Sequence, residues 1–143
     1  MKLNEQLLQS WLQLTTAINN ERLVSDLPFN ELVIYRYLLL KEPNLLTATD
    51  LCNMTKMQKS QMNRTLISME NKHLIQRIKD SNDRRKVFIQ LNQANHNVYQ
   101  NEHAKILNII DRLIESIGVD KANQVLEIFN LVAEVANKEI NND

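Results

Sequence analysis

Apolar residues recur at three- and four-residue spacing from the start of the chain, at Leu3, Leu7, Leu8, Trp11, Leu12, Leu14 and Ile18, with Thr15 among them. That period predicts an amphipathic helix over residues 3–22 carrying more than one hydrophobic stripe. After Asp26-Leu27-Pro28, where proline suits the first turn of a helix, Leu32, Val33, Tyr35, Tyr37, Leu38, Leu39 and Leu40 predict a second, central helix that ends near Lys41, before Pro43. In Thr47-Ala48-Thr49-Asp50 a threonine is followed three residues on by an acid, the pattern of a capping box at the start of a short helix with Leu51 and Met54 inward. A fourth helix, with Met57, Met62, Leu66, Met69 and Leu74 on its apolar side, follows closely enough to make a helix-turn-helix.

The period then changes from helical to alternating. Ile75-Gln76-Arg77-Ile78-Lys79 and Val87-Phe88-Ile89-Gln90-Leu91 favour strands and flank Asp80-Ser81-Asn82-Asp83-Arg84-Arg85-Lys86, which predicts a hairpin with a basic tip. The helical period resumes from Asn92 through Val98, Ile106, Ile109, Ile110, Leu113, Ile114 and Ile117, breaks at Gly118 and restarts after Asp120 with Val125, Leu126, Ile128, Phe129, Leu131, Val132, Val135, Ala136 and Ile140. The expected class is therefore mainly α with a small β-hairpin, in one domain of residues 1–143. The terminal helices carry more apolar surface than a lone small domain can bury.

Composition narrows the function. One glycine and two prolines in 143 residues exclude a phosphate-cradling glycine loop and a many-turned β-sandwich. Cys52 is the only cysteine, so no intramolecular disulfide forms, and with no charged-then-apolar leader the expected compartment is the cytoplasm. No apolar run approaches the roughly 20 residues of a membrane span. Basic and acidic residues balance at 17 each, but unevenly along the chain. Residues 56–86 hold nine basic and three acidic side chains, a surplus of six positive charges, whereas the preceding stretch carries −2 and the following one −4. A basic middle between acidic flanks suits a chain that presents one face to a polyanion.

The fourth helix supplies the side chains such a face needs. Arg or Lys suits guanine and Gln or Asn suits adenine in the major groove. Gln58, Lys59, Ser60, Gln61, Asn63 and Arg64, near the helix start, are the candidates for base or adjacent phosphate contacts. Arg84, Arg85 and Lys86 on the hairpin could reach the flanking minor groove, with Asp83 orienting an arginine by hydrogen bonding because it would itself repel phosphate.

These residues, in this order and spacing, resemble the MarR family of bacterial transcriptional regulators. The resemblance is carried by Thr47-Ala48-Thr49-Asp50-Leu51-Cys52, by the run from Met62 to Arg77 and by the run from Asp80 to Asn92, with Asp83 and Arg85 matching the family's Asp-x-Arg wing element. It implies a winged helix-turn-helix lobe over 28–92, with 3–25 and 93–141 forming dimerisation helices. It further implies a homodimeric repressor that binds double-stranded DNA and responds to a small-molecule effector. Three positions depart from the family pattern: His73 replaces a glycine in a left-handed turn, Asn82 a wing arginine and Asn92 a threonine.

For the dimer interface the expected residues are Leu7, Leu12, Ile106, Ile110, Ile114, Leu126, Phe129 and Val132. Trp11, Tyr35, Arg36 and Tyr37 are candidates for an effector pocket, against the plainer reading that they are core. Cys52 reads as a packing residue rather than a redox sensor, and Met54, Met57, Met62 and Met69 as core rather than ligands. His96 and His103, with Glu102, are spaced too far apart for a compact metal pair, so no metal or other cofactor is expected. No Ser or Cys nucleophile has a histidine near it, and no enzyme is expected. The rival readings are a helical dimerisation module without specific DNA binding, which leaves the basic segment unexplained, and an RNA-binding winged helix, which lacks stacking aromatics apart from Phe88.

Overall fold

A computed structural model describes residues 1–20 and 27–139. The first helix, α1 (Leu3–Asn20), is followed by α2 (Phe29–Lys41), whose first amides are collected by the Pro28 carbonyl, which accepts from Glu31 and Leu32 at 3.0 and 3.2 Å. The expected continuations of α1 into 21–25 and of the last helix into 140–141 lie outside the described residues. Leu32, Tyr35 and Leu38 turn α2 into the centre of the core, as the sequence predicts, and Ile34 joins them, whereas Leu40 stays exposed.

A two-residue strand, β1 (Leu46–Thr47), leads into α3 (Ala48–Thr55) through the expected capping box: Thr47 Oγ1 accepts from the Asp50 amide at 3.1 Å while Asp50 Oδ2 accepts from the Thr47 amide at 2.9 Å. Lys56 then turns the chain in the left-handed region (φ 64°), and α4 (Lys59–Asn71) packs Met62, Leu66 and Met69 fully into the core. Met54, Met57 and Cys52 lie against the same core, half-buried.

The structure shortens the fourth helix relative to the sequence reading. Met57 precedes it, and Leu74 lies beyond its end because His73 adopts φ 59°. The His73 amide donates to the Glu70 carbonyl and the Leu74 amide to the Met69 carbonyl, both at 2.9 Å, which closes the helix as a Schellman turn and carries Leu74 into the core. The wing strands β2 (Ile75–Lys79) and β3 (Val87–Leu91) have the predicted bounds, and Ile75 pairs with Leu91 and Lys79 with Val87. The sheet has a third strand that the sequence does not suggest: β1 pairs antiparallel with β3, giving the order β1-β3-β2.

A 3-10 turn (Gln93–Asn95) precedes α5 (His96–Ile117), so the helix starts a few residues after Asn92. Gly118 alone, at φ 92°, separates α5 from α6 (Val119–Glu139), a backbone angle that side chains beyond glycine rarely take. The core collects α2, α3, α4, the sheet and Tyr99 of α5. By contrast α1, most of α5 and α6 keep large apolar side chains in the open, among them Leu7, Leu12, Ile110, Leu126, Phe129 and Val132, with Ile106 and Ile114 half-buried. No described helix is long and apolar enough to cross a membrane.

Candidate nucleic-acid interface

The helix-turn-helix of α3 and α4 presents the first turns of α4 to solvent. Three of thirteen residues in α4 are sealed on its core side, which leaves Gln58, Lys59, Ser60 and Arg64 exposed and Gln61 and Asn63 half-buried. Gln58 occupies the N-cap position but its side chain makes no capping hydrogen bond, and no acid lies in the first turn. The leading amides of α4 are thus left for an outside acceptor, and the positive end of the helix dipole is not neutralised. Gln61 and Arg64 also edge a groove of about 320 Å³, whose other side is the first turn of α2 at Pro28, Asn30 and Glu31.

The wing tip is built by its own side chains. Asp83 Oδ1 accepts from the Arg85 amide at 3.0 Å, the Asp83 carbonyl accepts from the Lys86 amide at 3.0 Å, and Asp80 Oδ1 accepts from the Asn82 amide at 3.0 Å. Arg85 Nε stands 3.5 Å from Asp83 Oδ1 while its side chain is 96% exposed. Asp83 thus serves principally as a turn-forming acceptor at the tip. Lys86 folds back over the Phe88 ring, 5.3 Å from its centroid, while Arg84 is exposed.

Two ion pairs fasten the far end of α4, and neither was foreseen from the sequence. Lys72, the C-cap residue, donates to both oxygens of Glu31 at 3.0 and 2.8 Å, and the Glu31 residue is only 2% exposed. Glu70 Oε1 accepts from Arg77 Nε of β2 at 2.7 Å. Glu31 shares a helix face with Ile34, Tyr35 and Leu38, so an acid in an otherwise apolar stripe was the available signal.

The four candidate effector residues are not brought together around an opening. Trp11 stands 63% exposed on α1, Tyr37 is half-buried and Tyr35 is fully sealed. Successive helical residues point about 100° apart, so neighbours in sequence face different surroundings. Tyr35 instead joins α2 to α5: its hydroxyl shares a hydrogen bond with His96 Nδ1, and its ring stacks on Tyr99 at 4.2 Å between centroids, with His103 stacked beyond at 5.4 Å. Burial, with smaller effects of Glu42 and Tyr99, pushes the Tyr35 phenol up to about 12, so it keeps its proton at neutral pH. Burial also raises Tyr99, while the Arg36 guanidinium beside it pulls the other way. Nearby, Glu102 is buried on α5 with Lys105 Nζ 3.1 Å from Oε1, and among the described residues none is bonded to Oε2. Among the described residues no group of three His, Cys, Asp or Glu side chains is placed to hold a metal ion.

A three-stranded sheet with a helix-turn-helix against it and long helices on either side in sequence is the winged-helix architecture of MarR-type regulators. The chain is similar in fold to AbsC, a MarR family transcriptional regulator from Streptomyces coelicolor, with TM-score 0.77 and 19% identity over 97% of this chain and 98% of that one. It is similar also to the PcaV transcriptional regulator of the same organism, solved with its natural ligand (TM-score 0.76, 12% identity, 94% of each chain), and to the transcriptional regulator BldR from Sulfolobus solfataricus (0.68, 20%, 94% and 99%). A comparison with curated proteins finds no match. The family model described as transcriptional regulator SarA/Rot matches residues 17–102, more than half of the sequence, and the chain belongs to that family of transcriptional regulators.

Proposed function

We propose that this regulator is a homodimer that binds double-stranded DNA sequence-specifically and represses transcription. In this reading residues 28–92 are the DNA lobe, with 3–25 and 93–141 forming the dimer. The α4 residues Gln58, Lys59, Ser60, Gln61, Asn63 and Arg64 enter the major groove, and Arg84, Arg85 and Lys86, arranged around Asp83, follow the adjacent minor groove. The observation that carries the reading is the uncapped, acid-free start of α4 beside a wing that holds Arg85 almost wholly in solvent. Leu7, Leu12, Ile106, Ile110, Ile114, Leu126, Phe129 and Val132 supply the apolar surface of a two-fold interface, which implies a pseudo-palindromic operator with half-sites roughly 10 bp apart. PcaV was solved with its natural ligand, and we extend to this chain a response to a small molecule held between the dimer helices and the DNA lobe.

The exposed apolar arms favour a second reading, a dimerisation module without specific DNA binding. Fluorescence anisotropy with duplex DNA from upstream of the protein's own gene, against a scrambled duplex across a salt series, separates the two. Preference by orders of magnitude, two protomers per site and a steep salt slope support the regulator. Absence of binding even at low salt supports the module.

A further inference from the structure

We infer that Glu31, with Lys72, is a positioning pair that sets the tilt of α4 and so the register of its base-reading turn. The inference rests on the DNA-reading function proposed above. The first observation is the contrast between the two ends of α4. Its start has no side-chain cap, whereas its end is held to α2 by Lys72 and Glu31 and to the wing by Arg77 and Glu70. The second is that the pair is the only side-chain hydrogen bond between α2 and α4 among the described residues, and that the flank beside it is not packed shut. Pro28, Asn30 and Glu31 face Gln61, Arg64, Thr65 and Ser68 across the open groove of about 320 Å³.

The lever arm gives the link its consequence. Lys59 and Lys72 are separated by about 20 Å along the helix at 1.5 Å per residue, so a tilt of about 3° at the Lys72 end moves the reading turn by about 1 Å. A displacement of that size takes a hydrogen bond out of its working range of 2.7–3.2 Å. The carboxylate is sealed and makes both its contacts to one ammonium, which leaves little room for other geometries, while the Lys72 side chain keeps 41% of its surface in solvent. Glu31 itself touches no base in this arrangement; it acts through the helix that does.

The test uses the full-length dimer and two duplexes: one selected from a random pool by the wild-type protein, and one of random sequence. Anisotropy across a salt series gives the ratio of the two affinities, and thermal melting is followed in parallel. The main variant is the double substitution Glu31→Met/Lys72→Met, because replacing a buried ion pair by apolar side chains of similar size often leaves stability intact. We expect melting close to wild type, unchanged affinity and salt slope on the random duplex, and about a tenfold loss of the specific ratio, the size of one misplaced base contact. Glu31→Gln, which keeps the shape and weakens the pair, is expected to move the ratio the same way by a smaller factor, and it stands in should the double variant not fold. An unchanged ratio in either folded variant overturns the inference. So does a loss on both duplexes with the salt slope lowered by about one, since Lys72 would then be a phosphate contact. A wild-type protein that does not prefer its selected duplex overturns the DNA-reading function itself, and with it the inference, before any variant is compared.

Discussion

Replacing Tyr35 by phenylalanine removes one oxygen from the junction between α2 and α5 while leaving the ring stacked on Tyr99. At neutral pH the variant loses the hydrogen bond that joins the phenol to His96 Nδ1 and should be destabilised by about 1 kcal/mol. The alkaline limb reverses the comparison. The Tyr35 pKa is raised from 10.0 to about 12 in the folded protein, first by burial, so the protonated phenol contributes stability that is fully present below pH 10 and is lost as pH rises towards 12. With about 1.4 kcal/mol per unit, the wild type forfeits about 1.4 kcal/mol by pH 11 and about 2 by pH 12 through this group, and the variant forfeits none of it. The two stability curves should therefore cross at roughly pH 11. Urea unfolding followed by circular dichroism from pH 7 to 12, at one fixed protein concentration because the proposed dimer makes stability concentration-dependent, gives the difference directly. Groups common to both proteins cancel. A deficit that stays constant over the whole range would refute the argument that burial holds the phenol in its protonated form.

Arg85→Ala should lower the magnitude of the salt slope by about one and weaken DNA binding, as removal of a solvent-projected cation at the wing demands. Gln61→Ala should instead change the preference among operator variants by about tenfold at the affected base, read by competition with single-base variants. Phe129→Asp, on the open face of α6, should convert the dimer to monomer in size exclusion with light scattering and abolish operator binding with it. His73→Gly should leave DNA binding unchanged and raise thermal stability by up to about 1 kcal/mol, since a side chain at φ 59° carries a steric cost that glycine does not.

What could be read from the sequence was whatever is local. The Thr47–Asp50 capping box spans four residues, the wing strands announce themselves by alternation, and Gly118 breaks a helical period where the backbone turns to φ 92°. The overshoot at Leu74 has a local cause too: it stands eight residues from Leu66, a spacing that fits the apolar face of a helix, and only the left-handed backbone at His73 redirects it. What could not be read was pairing across distance. Two residues at β1 carry no period, and their partner lies on β3. Glu31 and Lys72 are 41 positions apart, Tyr35 and His96 are 61 apart, and neither link leaves a pattern in a window of ten or twenty residues. The aromatic grouping of Tyr35 and Tyr37 suggested a pocket because they are near in sequence, yet the helix sends one into the core and the other to its edge.

The distribution of charge and amides bears on how such a surface discriminates. Basic residues exceed acidic ones by six within 56–86, but four of those cations already have partners: Lys72 with Glu31, Arg77 with Glu70, Arg85 with Asp83 at the solvent-facing wing tip and Lys86 over Phe88. The stretches on either side carry a net negative charge, which disfavours approach of a polyanion to them relative to the basic segment. The reading turn itself offers two glutamines, one asparagine and one serine against one lysine and one arginine. Sequence-independent affinity grows with the number of phosphates neutralised, whereas amides contribute only where a base edge presents the matching donor and acceptor. A face with few free cations and many amides should thus hold random DNA weakly and owe its affinity to placement. That dependence is what makes the angle of α4, and the ion pair at its far end, matter to the reading.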